Sequence, residues 1–163
     1  MDLYIVRHAW AGQRDDSRWP DDGMRPLTAE GKERFARVVK KLADAGMAPG
    51  IIATSPLVRC VETAEILAGA IGGAKIVKLD ELQPGSDLQG LLQWTARQAA
   101  KHEQIAWVGH VPDVNRLTAA LIGDAGALIH FAKGAAVAIR FDGEPAVATG
   151  ELQWLVSAKV LGC

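Results

Sequence analysis

The sequence predicts one α/β domain over residues 1–163, a three-layer sandwich with a mostly parallel central sheet and helices on both faces. Three observations carry this. Short apolar runs alternate with longer segments of helical periodicity, which is the pattern of strand–helix–strand units. The last two strand-like segments follow each other across a short connection, residues 142–149, which places an antiparallel hairpin at one edge. Three of the apolar runs end directly in polar, reactive residues. In open sheets of this kind the ligand site lies beyond the carboxyl ends of the strands.

Each element has a local cause. Asp2–Val6 (DLYIV) is a short run of the fully buried type and reads as the first strand. Ala9–Pro26 is polar and turn-rich, a loop long enough to be functional. Thr28 offers an N-cap to a helix over Glu30–Ala45, with Phe35, Val38, Val39 and Leu42 on one face and Gly46 as its stop. GIIATSP is a second buried strand. Ser55 then reads as an N-cap and Pro56 as the first helical residue of a helix reaching about Ala70, with Leu57, Val61, Ala64 and Ala68 facing inward. AKIVKL is the third strand. Asp87 caps a helix from Leu88 to about Lys101, and IAWVG is the fourth strand, ending at His110. Pro112–Leu121 reads as a helix, and Ala135–Phe141 and Gly150–Val156 as the closing strands. Trp94, Trp107 and Trp154 are expected in the core, and Trp10 and Trp19 at the mouth of a pocket.

Composition narrows the function. The formal net charge is −1, so no global field attracts nucleic acid or an acidic membrane. The first apolar run is too short for a signal peptide or a membrane span. The two cysteines, Cys60 and Cys163, have no zinc or disulfide spacing and fit a reducing, cytoplasmic setting. No spaced ligand cluster calls for a metal, and no cofactor is expected.

The strand ends bring together Arg7, His8, Ser55–Arg59 and His110. A neutral imidazole can attack phosphorus and form a phosphohistidine. Two arginines, Arg7 and Arg59, can clamp the equatorial phosphoryl oxygens with fixed donors. His110, if protonated, adds a third donor, and the helix after Pro56 turns its positive end to the same place. These cations make a metal unnecessary. An Arg-His pair alone could equally be a surface turn, and a lone Arg59 or His110 a solvated helix or loop residue.

The blocks LYIVRHAWA, RPLTAEGKE, ATSPLVRCVETAEIL, LDELQPGSD and WVGHVPDVNRL resemble, in order, those of the histidine phosphatase superfamily, in particular its SixA-type phosphohistidine phosphatases. The resemblance spans most of residues 3–120. It implies a phosphoglycerate-mutase-like fold and makes His8 the phosphorylated nucleophile, Arg7 and Arg59 the phosphate-binding arginines and His110 the second histidine. Ala9 stands where the superfamily has glycine, as in SixA-type members. For a general acid the resemblance points to Glu81, with Asp87 as the alternative; an imidazole leaving group needs that acid less. Arg25 is a further candidate phosphate contact, or pairs with one of Asp15, Asp16, Asp21 or Asp22. The implied substrate is phosphohistidine on a partner protein, taken up in a shallow, open site. A small phosphomonoester and a non-catalytic phosphate-binding or relay module are the alternatives.

Overall fold

A computed structural model describes residues 1–163. Six strands form one sheet: β1 (Asp2–Arg7), β2 (Ile51–Thr54), β3 (Lys75–Lys78), β4 (Gln104–Gly109), β5 (Ala136–Arg140) and β6 (Glu151–Val156), in the order β3-β2-β4-β1-β5-β6. β1 to β4 are mutually parallel, β5 runs against β1, and β6 runs against β5, so the antiparallel hairpin closes one edge as expected.

The alternation of side chains along β1 divides the core. Tyr4 and Val6 pack with Phe35, Val38, Val39 and Leu42 of α1 (Ala29–Asp44) and Cys60, Ala64 and Leu67 of α2 (Val58–Ala70). Leu3 and Ile5 face the other way, onto Leu91 and Trp94 of α3 (Leu88–Ala99) and Val114, Leu117 and Leu121 of α4 (Asp113–Leu121). With helices on both faces, every interior strand is buried on both sides, which is why these strands read as unbroken apolar runs. Trp107 is fully buried in β4, and its indole donates to Thr95 Oγ1 at 3.1 Å. Trp154 departs from its expected core position. It is half-buried on the edge strand β6, stacked on Tyr4 with ring centroids 5.8 Å apart.

Two caps act where the sequence puts them: Thr28 Oγ1 accepts from Gly31 N at 2.9 Å, and Asp87 Oδ1 accepts from Gln89 N and Gly90 N at 3.0 and 3.1 Å. Two helix starts differ. α2 begins at Val58 with Leu57 in the cap position and no side-chain cap; α4 begins at Asp113 with Pro112 as cap residue. The inward face of α2 is also rotated. Arg59, Cys60, Thr63, Ala64, Leu67 and Ala68 are buried, while Val61 is only half-buried. Hydrophobicity alone selects Val61; the helix instead turns so that two polar residues point at the sheet edge.

Phe35 is 1% exposed at the centre of the α1–α2 side of the core. Phe35→Ala is expected to cost about 3–5 kcal/mol of unfolding free energy, measured by denaturant titration.

Candidate active site

Strand pairing builds the site. β1 and β4 are parallel neighbours in register Arg7↔Gly109, and His8 N donates to Gly109 O at 3.0 Å. The next residues, His8 and His110, therefore emerge side by side, with ring centroids 5.3 Å apart and planes at 58°. β2 flanks β4 on its other side, and Ser55 N donates to Val108 O at 3.0 Å. Ser55 thus reaches the same edge, its Oγ 2.9 Å from His110 Nε2. That bond, not a helix cap, is the role the structure gives Ser55. All three side chains are buried.

His8 Nδ1 lies 2.8 Å from Ala9 O. A carbonyl only accepts, so Nδ1 carries the proton and Nε2 keeps its lone pair. Burial pushes the His8 pKa down to about 3, with the nearby His110, Arg59 and Arg7 acting in the same direction, so the ring is neutral near neutral pH. Ala9 N donates to Thr63 Oγ1 at 3.0 Å, and that hydroxyl donates to Arg59 O at 2.7 Å. Thr63 thereby ties the segment holding His8 to the helix holding Arg59.

Each arginine is anchored through Nη1. Arg7 donates to Phe131 O at 2.7 Å and Arg59 to Asp22 O at 2.9 Å. The Nε–H of each is buried without an acceptor in the protein. For His110, burial and then the Arg59 charge push the pKa down to about 4, so the condition of protonation is not met near neutral pH and in the free protein the ring offers a neutral N–H. Cys60 Sγ lies 3.4 Å from His110 Nε2, but burial pushes this thiol up to about 12, and it is no nucleophile near neutral pH.

A family profile described as the histidine phosphatase superfamily (branch 1) matches residues 3–124. The chain belongs to this superfamily. An uncharacterised protein of Picosynechococcus sp. is 36% identical over 142 residues, covering 86% of this chain and 85% of that one. The structure of the protein histidine phosphatase SixA with tungstate superposes with a TM-score of 0.84 at 22% identity, over 99% of both chains. A Nakamurella multipartitia protein assigned as phosphohistidine phosphatase SixA gives a TM-score of 0.80 at 25% identity, over 96% of this chain and 95% of that one. The α-ribazole phosphatase of Shigella flexneri gives 0.67 at 20% identity, over 97% of both. The fold is therefore that of the histidine phosphatases, the phosphoglycerate-mutase-like α/β fold, and the chain is a phosphatase of this superfamily.

The other candidate residues of this histidine phosphatase lie outside the cluster or at its edge. Arg25 gives Nε to Asp22 Oδ1 at 2.8 Å and Nη1 to Gly12 O at 2.7 Å, which is the pairing alternative rather than a free guanidinium. Glu81 sits half-buried in a 3-10 turn, Asp80–Leu82, with its Cγ against α3 at Gly90 and no hydrogen bond from its carboxylate to Arg7, His8, Arg59 or His110. Asp87 is exposed and committed to capping α3. Sequence reasoning missed Ser55 as a histidine partner, Thr63 as the tie and buried Asp113, whose Oδ2 accepts from Gly85 N at 2.9 Å. Thr63 carried a signal: it is four residues after Arg59 and so shares its helix face. No group of three or more His, Cys, Asp or Glu side chains is gathered that could hold a metal ion. His8, Arg59 and His110 are 8%, 5% and 4% exposed, so each presents only a small part of its side chain to an incoming group.

The two buried histidines link stability to pH. The ordinary imidazole value is about 6.5, whereas His8 titrates at about 3 and His110 at about 4 in the fold. Between these values the unfolded chain binds more protons than the native one, so stability rises with pH. Their contribution is complete above about pH 6.5 and is lost as the pH falls below it. Tm measured from pH 4 to 8 should fall on the acid side, and the slope should become shallower in a His8→Asn/His110→Asn variant. An identical slope in the variant would assign the acid sensitivity to other groups.

Proposed function

We propose that this phosphatase removes the phosphoryl group from phosphohistidine on a partner protein, by way of a phosphorylated His8. One observation carries the reading. A neutral imidazole with a free Nε2 stands beside two anchored guanidiniums whose Nε–H groups lack acceptors, and the carboxylate that reaches the set, Asp22, is ion-paired to Arg59 and Arg25 and carries no proton. Such a site is equipped to receive an oxyanion and poorly equipped to protonate a difficult leaving group.

The chemistry runs in two steps. His8 Nε2 attacks phosphorus as the bond from phosphorus to the substrate nitrogen breaks, and the substrate imidazole leaves with a proton from solvent. Water then attacks the phosphorylated His8, releasing inorganic phosphate and restoring the neutral ring. Arg7 and Arg59 hold the equatorial oxygens, where charge grows in both steps. Ser55 Oγ accepts weakly from Leu57 N at 3.5 Å, and its hydroxyl hydrogen is free for His110 Nε2. This leaves Nδ1–H of His110 as the third donor. The reading needs no metal or cofactor, and it has no role for nucleic acid or a membrane; no helix is long and apolar enough to cross one.

The likeness to SixA structures supports a protein substrate, and the likeness to an α-ribazole phosphatase keeps a small phosphomonoester as the second reading. Glu81 is the residue that favours the second, because it is the carboxylate of the LDELQPGSD block without a hydrogen-bond partner, Asp80 accepting from Gln83 and Asp87 capping α3.

His8→Ala should abolish turnover, and wild-type protein quenched in alkaline denaturant should carry an alkali-stable, acid-labile phosphate on His8. Full activity of the substituted protein would overturn the covalent route. On a phosphohistidine protein, kcat/KM should exceed that on small phosphomonoesters by at least about tenfold, about 1.4 kcal/mol of transition-state binding. Glu81→Gln should slow only the phosphomonoester reaction. A small ester turned over near the diffusional ceiling would select the second reading.

A further inference from the structure

The aspartate-rich loop places one of its carboxylates against the phosphoryl site. Asp22 Oδ1 accepts from Arg25 Nε at 2.8 Å, and Oδ2 lies 3.3 Å from Arg59 Nη1. The Asp22 carbonyl accepts the same Nη1 at 2.9 Å. No other carboxylate pairs with Arg59, whose side chain is only 7% exposed. Arg25 is itself fixed by Gly12 O, so the carboxylate is held from behind.

A buried guanidinium without a partner is strongly unfavourable. In the free protein Asp22 supplies the partner. When a phosphoryl anion enters, Arg59 faces two anions at once. The carboxylate then fixes the direction of the guanidinium but opposes the incoming charge. Tight ground-state binding of phosphate does not speed transfer, and it slows release of the final product.

We propose that Asp22 is the positioning residue and internal counter-charge of Arg59, aligning the guanidinium for phosphoryl transfer while weakening the hold on free phosphate. The proposal rests on the phosphoryl-transfer reading of the site. Asp22 is not the missing acid: the hydrogen bond from Arg25 holds its carboxyl below the usual carboxylate range, so it carries no proton to give near neutral pH.

The test separates charge from alignment. Asp22 opens a 3-10 turn whose cap is Asp21, with Gly23 N donating to Asp21 Oδ1 at 2.8 Å, so the near-isosteric Asp22→Asn keeps the turn. Tungstate binding is measured by calorimetry, and kcat with whichever phosphoryl donor the wild type turns over best. For Asp22→Asn the tungstate Kd should fall at least about threefold while kcat falls about tenfold or more. Asp22→Glu, which keeps the charge but moves it, should leave the tungstate Kd within about twofold of wild type with kcat still low. A merely structural role weakens both quantities together. Unchanged or weaker tungstate binding in Asp22→Asn, or a wild-type kcat, overturns the proposal; Asp22→Ser carries the same comparison if the Asn protein does not fold. A wild type that turns over no phosphoryl donor sinks the functional reading, while the tungstate comparison, which needs no turnover, still decides the counter-charge.

Discussion

The parallel pairing of β1 with β4 is the constraint on which the site depends. It runs in register from Asp2↔Gln104 to Arg7↔Gly109 and is extended by the bond from His8 N to Gly109 O. Because both strands stop at the same level, the residue after each enters the same space. A shift of one residue would send His8 to the opposite face of the sheet and separate the two imidazoles. The register is in turn held by burial: Leu3, Ile5, Ile105 and Trp107 point into one core, and Tyr4, Val6, Ala106 and Val108 into the other. The apolar core therefore fixes the spacing of polar groups that take no part in it.

That spacing carries an electrostatic cost, and the distribution of protons reflects it. Two guanidiniums and two imidazoles meet at one buried edge. The arginines keep their charge because guanidinium cannot be deprotonated in a protein. Each is anchored to a backbone carbonyl, Phe131 O or Asp22 O, and Arg59 also to the Asp22 carboxylate. The histidines yield instead. Burial and the neighbouring cations hold both neutral far below the ordinary imidazole range. The same repulsion that makes the cluster costly thus leaves His8 with the lone pair a nucleophile requires.

The strands and the strand-end residues were legible in the sequence because both follow from short-range rules. Doubly buried strands are continuous apolar runs, and a polar residue directly after such a run marks the edge where parallel sheets place ligands. The helices were legible in existence but not in orientation. α2 was read from its apolar residues, yet Arg59 and Thr63 share the buried face with Cys60 and Ala64, and Val61 is displaced toward the surface. Periodicity counts a buried arginine as an outward residue, so it fails where a helix serves a site. Ser55 differs from its sequence expectation for a related reason: Ser-Pro before a helix has the form of a cap, and only the tertiary pairing of β2 with β4 reveals His110 as its partner.

The acid was the least legible part, and the structure explains the difficulty. Three carboxylates stand in the right block of sequence, but Asp80 accepts from Gln83, Asp87 is used by the amides of Gln89 and Gly90, and the Glu81 side chain packs against α3 at Gly90. The carboxylate that does reach the site comes from another loop, and Arg25 and Arg59 keep it ionised. A proton donor must be near its pKa at the working pH, whereas a counter-charge must be far from it. Between two guanidiniums only the second condition can be met. The placement of Asp22 therefore suits a site that shapes and releases an anion rather than one that protonates a poor leaving group. The proposed substrate is compatible with such a site, because an imidazole departs without much help.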